Sequence, residues 1–180
     1  FSHVQEHLYE LPGVSYDVEL RRRYHTAARA AHALGYVQEI DGRTIAQKRS
    51  RGYRMGDRVG RTGLEHIYEP LLRGERGREF VLVNVHGSEV MQYRNGTKDE
   101  PATSGYDLHL TLDHELQAFA ESLFVGKRGA AVALDPNTGK ILSLVSKPDF
   151  APSLFTQSVS TSVWDSLRSN PHDPLFNRAT

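Results

Sequence analysis

Two short apolar runs, Ala130–Leu134 and Ile141–Val145, flank Asp135-Pro136-Asn137-Thr138-Gly139-Lys140 and predict a β-hairpin. Pro136 fixes φ early in the turn, Asn137 tolerates the left-handed region, and Gly139 takes positive φ without a Cβ clash. Neither arm alternates with polar residues, so both faces of the hairpin are expected to be covered. Upstream, Tyr106, Leu108, Leu110 and Leu112 alternate with Asp107, His109 and Thr111, the pattern of a strand with one wet face. A helix follows, N-capped by Asp113, with Leu116, Phe119, Ala120, Leu123 and Phe124 on the side expected to lie over the hairpin. Asp113 and Glu115 are explained by their places in the first helical turn and are not taken as a catalytic carboxylate pair.

Earlier in the chain, Val4, Leu8 and Leu11 recur at helical spacing until Leu11-Pro12-Gly13-Val14 breaks the pattern, and Val14–Leu20 alternates as a weak strand. Thr26 is placed to cap a helix through Ala27, Ala30, Ala31 and Leu34 that Gly35 ends, with His32 as a packed residue on it. Thr62, with Glu65 three residues on, opens a capping box and a helix carrying Leu64, Ile67, Tyr68, Leu71 and Leu72, with Gly74 just beyond it. Phe80–Val85 and Val90–Tyr93 predict a second hairpin turning at Gly87, and polar Arg94–Gly105 reads as a loop near a domain boundary. After Val145, Phe150, Leu154 and Phe155 pin a loop marked by Pro148 and Pro152, and Ser160–Leu167 forms a short helix with Trp164 inward before Pro171 and Pro174. Hairpins and short helices in this order give an α+β chain.

Composition narrows the function. Lys plus Arg and Asp plus Glu are 22 each, so no global charge draws the chain to nucleic acid or to an anionic membrane. There is no Cys, hence no disulfide, thiolate metal site or Cys nucleophile. No apolar run reaches the roughly 20 residues that span a bilayer, and the start at Phe1, without Met or a signal core, leads us to expect a piece of a longer polypeptide. His3-Val4-Gln5-Glu6-His7 matches H-x-x-E-H, two imidazoles one helical turn apart, which gives a zinc hydrolase as an alternative function; such a site needs a third ligand, and nine His make a chance pair easy. From Arg43 to Arg61 seven cations face the single acid Asp57, with Gly52, Gly56 and Gly60 four apart. A solvated or intramolecularly paired loop is the favoured reading there, and an anionic-polymer-binding module the alternative. The spacing fits no phosphate-binding motif, no strand is expected to run into it, and Tyr53 is its one aromatic. Asn95-Gly96-Thr97 is a chance sequon.

Gly60-Arg61-Thr62-Gly63-Leu64-Glu65, then Tyr68 with Leu72-Arg73-Gly74, Gly105-Tyr106-Asp107-Leu108, Leu110-Thr111-Leu112-Asp113 and Leu116-Gln117 form an ordered series. It continues through Gly129–Pro136, Thr138-Gly139, Ser146-Lys147-Pro148 and Pro174-Leu175-Phe176-Asn177-Arg178-Ala179. In this order, over nearly the whole chain, these motifs resemble the class B penicillin-binding proteins. Leu11-Pro12-Gly13-Val14 and His32-Ala33-Leu34-Gly35-Tyr36-Val37 fit the elongation-specific, rod-shape subtype. The resemblance implies a non-catalytic pedestal (dimerisation-type) domain at 1–104, N-terminally incomplete, and the first strand, helix and hairpin of a transpeptidase domain with an incomplete antiparallel sheet at 105–180. It also implies a membrane-anchored, extracytoplasmic (periplasmic) D,D-transpeptidase that cross-links peptidoglycan for cell shape through an acyl-serine and is acylated by β-lactams. The partners implied are the periplasmic rod-shape scaffold protein and a polytopic glycan polymerase, with self-association through unpaired sheet edges, no nucleic acid, no cofactor, and membrane contact through an N-terminal anchor outside the chain.

The chemistry of that family needs a serine and a lysine one helical turn apart, S-x-x-K, aided by S-x-N and K-[ST]-G. No Ser here has Lys three residues later: Ser143 and Lys147 are four apart, Ser146 is adjacent to Lys147, no S-x-N occurs, and Lys127-Arg128-Gly129 puts a cation where a hydroxyl is needed. In the family the serine follows soon after a segment like Asn177–Thr180. The 180-residue chain is therefore expected to be inactive and to act by protein binding, with no catalytic, cofactor or metal residue assigned and its partner surface unassigned.

Overall fold

The computed structural model describes residues 7, 22–24, 27–87, 89–157 and 159–180. The expected first helix, the Val14–Leu20 strand and the cap at Thr26 lie outside them. Three separate two-stranded antiparallel sheets organise the described chain. The first pairs β1 (Val37–Glu39) with β2 (Arg58–Gly60), Val37 opposite Gly60. Between these strands lie α2 (Gly42–Lys48), capped by the Asp41 carboxylate accepting from Thr44 N–H at 2.7 Å, and a 3₁₀ turn at Arg49–Arg51. The stretch expected to be a loop is thus a helix, a turn and a strand, and a strand does run into it. Their apolar residues, Ile40, Tyr53 and Val59 with Ile45 against them, form a small core that Arg-rich flanks hide from a periodicity search.

α1 covers Ala31–Leu34 only, shorter than the sequence pattern implies. Ala30 stands at φ 42° in the left-handed region, and the N–H groups of Arg29 and Ala30 donate to the Glu121 carboxylate at 3.0 and 2.8 Å instead of entering a helix. The helix expected after Thr62 is two: α3 (Gly63–Ile67) and α4 (Glu69–Leu72), with Pro70 in the first turn of the second, where its missing N–H costs nothing. The Thr62 side chain makes no cap bond, and Glu65 pairs with Arg22 at 2.9 Å rather than closing a capping box. Close approach of α3 to its neighbours requires glycine: a Cβ on Gly63, at φ +59°, would lie 2.6 Å from the Ala33 carbonyl oxygen.

The second sheet is the expected hairpin, β3 (Val81–Val83) and β4 (Glu89–Gln92), with Gly87 at φ 79°. Residues 94–105 are not a free linker, because Glu75 bridges Thr103 and Arg78 bridges Glu100. The third sheet pairs β5 (Gly129–Leu134) with β6 (Ile141–Lys147) as the turn chemistry predicts. The segment 106–112 has no regular secondary structure and joins no ladder, so the expected strand is not formed among the described residues; it is tied to β6 by Thr111 Oγ1 donating to the Ile141 carbonyl at 2.7 Å and, just past it, by Asp113 N–H donating to the Leu142 carbonyl at 2.8 Å.

α5 (His114–Leu123) starts at Asp113 as predicted, but the face it buries is the polar one. Gln117 and Glu121 are buried, whereas Phe119 is 61% exposed and Leu116 and Leu123 also face solvent. The physical reason is that α5 packs along the outer edge of β6 and needs hydrogen-bonding groups there. Gln117 accepts from Leu144 N–H at 2.8 Å and donates to the Leu144 carbonyl at 3.0 Å, acting as a one-residue strand. Small Gly129, Ala131, Ala133 and Ser143 share one face of the hairpin with Val145, while Val132 and Leu134 stay exposed, so the two faces are not both covered. A second core joins the halves of the chain: Tyr36 stacks on Phe155 at 3.9 Å, Phe150 and Ala31 complete the cluster, and Trp164 of α6 (Thr161–Arg168) packs against it.

Candidate docking surfaces

Of the sequence-predicted H-x-x-E-H match, His3, Val4, Gln5 and Glu6 lie outside the described residues and His7 within them. Among the described residues, no three His, Asp or Glu side chains gather as they would for a metal. The Ser and Lys residues tested for acylation chemistry are held by structural partners. Ser143 Oγ donates to Gln117 at 3.0 Å, Ser146 Oγ accepts from Arg178 N–H at 3.0 Å, and Lys147 pairs with Asp149 at 2.7 Å and Glu121 at 4.0 Å. Asp113 is the N-cap of α5 and Glu115 lies in its first turn.

The basic 43–61 stretch is folded onto later residues. Tyr53 donates its hydroxyl to buried Glu69, which also pairs with Lys48 at 3.1 Å, and the Arg73 guanidinium lies 3.7 Å from the Tyr53 ring centroid. Burial, and then the Glu69 carboxylate beside it, push the Tyr53 phenol up to about 12. Asp57, also buried, is shared by Arg73 and Arg76. This network was missed because Glu69, Arg73 and Arg76 follow the basic stretch by up to two elements.

Among the apolar surfaces open in the described residues are a hairpin face and a cavity. The β3–β4 hairpin carries Phe80, Leu82, Val83, Val90 and Met91 exposed, with Val85 96% exposed at its turn. Leu82 and Met91 are cross-strand partners on one face, so their side chains form one contiguous patch. Such a patch on a two-stranded sheet, which is marginal alone, marks a contact surface. The second is a cavity of about 660 Å³ whose walls include Leu64, Ile67, Leu110, Leu112, Leu144 and Phe150. His32 borders it with Nε2 buried and lacking a hydrogen-bond partner, and burial lowers its pKa. No helix of the described residues is long and apolar enough to cross a membrane.

Comparison with known proteins places this geometry. A family model described as the penicillin-binding protein dimerisation domain matches residues 1–110. The peptidoglycan D,D-transpeptidase MrdA of Escherichia coli K12 is 37% identical over 176 residues, 96% of this chain and 27% of that protein. MrdA of Acinetobacter baumannii is 40% identical over 171 residues, 95% of this chain and 25% of that protein. The chain thus spans about a quarter of the length of these relatives. A solved complex between penicillin-binding protein PBP2 and MreC from Helicobacter pylori superposes with a TM-score of 0.76 at 29% identity, covering 99% of this chain and 33% of that one. Pseudomonas aeruginosa PBP2 gives a TM-score of 0.60 at 31% identity over 82% of this chain and 28% of that one. The likeness expected from the ordered motifs is therefore shown, as is the α+β class of the fold, and the chain belongs to the penicillin-binding protein dimerisation-domain family.

Proposed function

We propose that this chain is the pedestal, residues 1–104, and the opening segment, 105–180, of a peptidoglycan D,D-transpeptidase of the elongation type, working at the extracytoplasmic face of the inner membrane. Its own activity is docking rather than chemistry. The observation that carries this is the β3–β4 hairpin, whose apolar side chains face solvent on a sheet that has two strands among the described residues. A relative covering nearly the whole of this chain was solved as a complex with MreC, and a rod-shape scaffold protein of that kind is the partner assigned here. A polytopic glycan polymerase is the second partner of the same assembly. Acylation of serine and cross-linking of peptide stems belong to the longer protein; the serines of this chain lack the lysine that would activate them.

The test immobilises the extracytoplasmic region of the scaffold protein and measures retention of the 180-residue chain. Leu82→Asp with Met91→Asp places two charges on the exposed patch and is expected to weaken retention at least about tenfold, or about 1.4 kcal/mol, with the far-UV circular dichroism unchanged. Equal retention of the double variant would refute the hairpin as the docking face. Exposure to a fluorescent penicillin is expected to leave the chain unlabelled.

A further inference from the structure

Apart from the apolar patch, one cleft concentrates charge in a chain whose net charge is zero. It has a volume of about 570 Å³ and is lined by Arg49, Arg51 and Arg54 from the stretch after α2 and Arg73, Arg76 and Arg78 from the stretch after α4, with Glu75 and Glu100 also on its wall. Its floor is fixed. Arg73 donates to the carbonyls of Arg51 and Gly52 at 3.1 and 3.0 Å, lies over the Tyr53 ring, and shares Asp57 with Arg76. Those bonds hold the 3₁₀ turn that carries Arg49 and Arg51 against the segment that carries Arg76 and Arg78. Arg78 has Glu100 at 3.5 Å, but among the described residues no carboxylate pairs with Arg49, Arg51 or Arg54, all three of them exposed. Arg73 and Asp57 thus frame the cleft, while Arg49, Arg51 and Arg54 have no carboxylate partner among the described residues.

We propose that this cleft binds an extended acidic segment of a protein partner, its carboxylates taken by Arg49, Arg51 and Arg54. Guanidinium forks match carboxylates two bonds at a time, and a cleft that gathers six arginines from two chain segments offers successive carboxylates of one chain successive partners. Three features of the cleft favour a peptide over other polyanions. Arg73 is set into it, its side chain 23% exposed against 56% for Arg76 and 65% for Arg78, so a flat lipid surface meets the outer arginines rather than Arg73. Single-stranded nucleic acid is held in part by stacking on exposed aromatic rings, and the Tyr53 ring is buried beneath Arg73. Glu75 and Glu100 on the wall can accept hydrogen bonds from the backbone amide N–H groups that a peptide brings beside its carboxylates and that a phosphate chain lacks. An exposed Arg–carboxylate pair contributes little alone, so several must engage together and binding must weaken with salt.

The experiment measures fluorescence anisotropy of fluorescein-labelled octaglutamate with the 180-residue chain between about 50 and about 300 mM salt. Binding is expected at low salt, weakened at least about tenfold by Arg49→Ala/Arg51→Ala/Arg54→Ala. Those side chains make no ion pair among the described residues, and far-UV circular dichroism checks the fold of the variant. Lys98→Ala/Lys127→Ala/Lys140→Ala removes the same charge from exposed sites outside the cleft and is expected to change affinity by less than about twofold. Equal weakening by the two triple variants overturns the proposal, because overall charge would then explain binding. So does absence of octaglutamate binding. Arg-dependent binding of phosphatidylglycerol vesicles or of single-stranded DNA, with the peptide unbound, also overturns it and assigns the cleft to that polyanion. Loss of scaffold retention by the hairpin variant leaves this result untouched, since the two surfaces share no residue.

Discussion

Gln117→Ala removes four hydrogen bonds from one side chain: donations to Glu121 at 2.8 Å and to the Leu144 carbonyl at 3.0 Å, and acceptances from Ser143 Oγ at 3.0 Å and Leu144 N–H at 2.8 Å. Because Leu144 exchanges its bonds with Gln117 and not with β5, its N–H and carbonyl point to the outer edge of β6, where α5 keeps water away. Alanine cannot reach either group. Two backbone groups left unpaired cost about 1–2 kcal/mol each, and the lost side-chain packing adds about 1 kcal/mol, giving about 3–5 kcal/mol. Against the roughly 5–15 kcal/mol that keeps a domain folded, that is a large fraction. Urea unfolding should show the midpoint falling with the slope unchanged, and hydrogen exchange should show the Leu144 amide accelerating before those bonded to β5. Gln117→Glu keeps the shape but turns an oxygen, not an N–H, towards the Leu144 carbonyl and the Glu121 carboxylate, so it should be at least as destabilising at neutral pH. A loss below about 1 kcal/mol in Gln117→Ala would refute the view that this amide stands in for a strand.

Gly63→Ala should cost about 2 kcal/mol or more, from the left-handed φ of +59° and from a Cβ 2.6 Å from the Ala33 oxygen, lowering Tm by about 4–8 °C in a thermal melt; an unchanged Tm would mean that α3 does not pack so closely. His32 is held below its ordinary pKa chiefly by burial, with Asp149 and the carbonyls of Pro174 and Leu175 opposing and Arg178 assisting. Below about pH 6.5 the unfolded chain therefore binds the proton more readily than the folded one, and stability present above that pH is lost as pH falls. His32→Leu should flatten the dependence of Tm on pH between about 7 and 5, and parallel profiles would exclude His32 as its source.

The elements that were legible from sequence are those whose instructions are local. Pro136, Asn137 and Gly139 specify one hairpin and Gly87 the other, and Asp113 caps α5 where its side chain predicts. The errors arise where a distant residue decides. Ala30 leaves the helical region because Glu121, 91 positions later, accepts its N–H, and no window around Ala30 contains that information. Pro70 is different: its own chemistry splits the helix after Thr62, and apolar spacing outweighed it in the sequence pattern. In α5 the period was right and the inward face wrong, since hydrophobic spacing locates a buried face only when that face meets apolar surface. Here the partner is the edge of β6, so Gln117 and Glu121 turn inward and Phe119 and Leu123 turn outward.

The same distinction separates the two proposed surfaces. The hairpin patch could be read as a strand pair from sequence, but its exposure could not, because exposure depends on what packs against the pair, and among the described residues no third strand joins it. The arginines of 43–61 were visible as a cluster, whereas the cleft needed Arg73 to arrive from beyond α4 and hold the end of the Arg49–Arg51 turn through the Arg51 and Gly52 carbonyls, with Arg76 joining it on Asp57. Charge along the chain therefore shows where binding energy is stored, and only the fold decides which charges are spent internally, as at Asp57, and which are left for a partner.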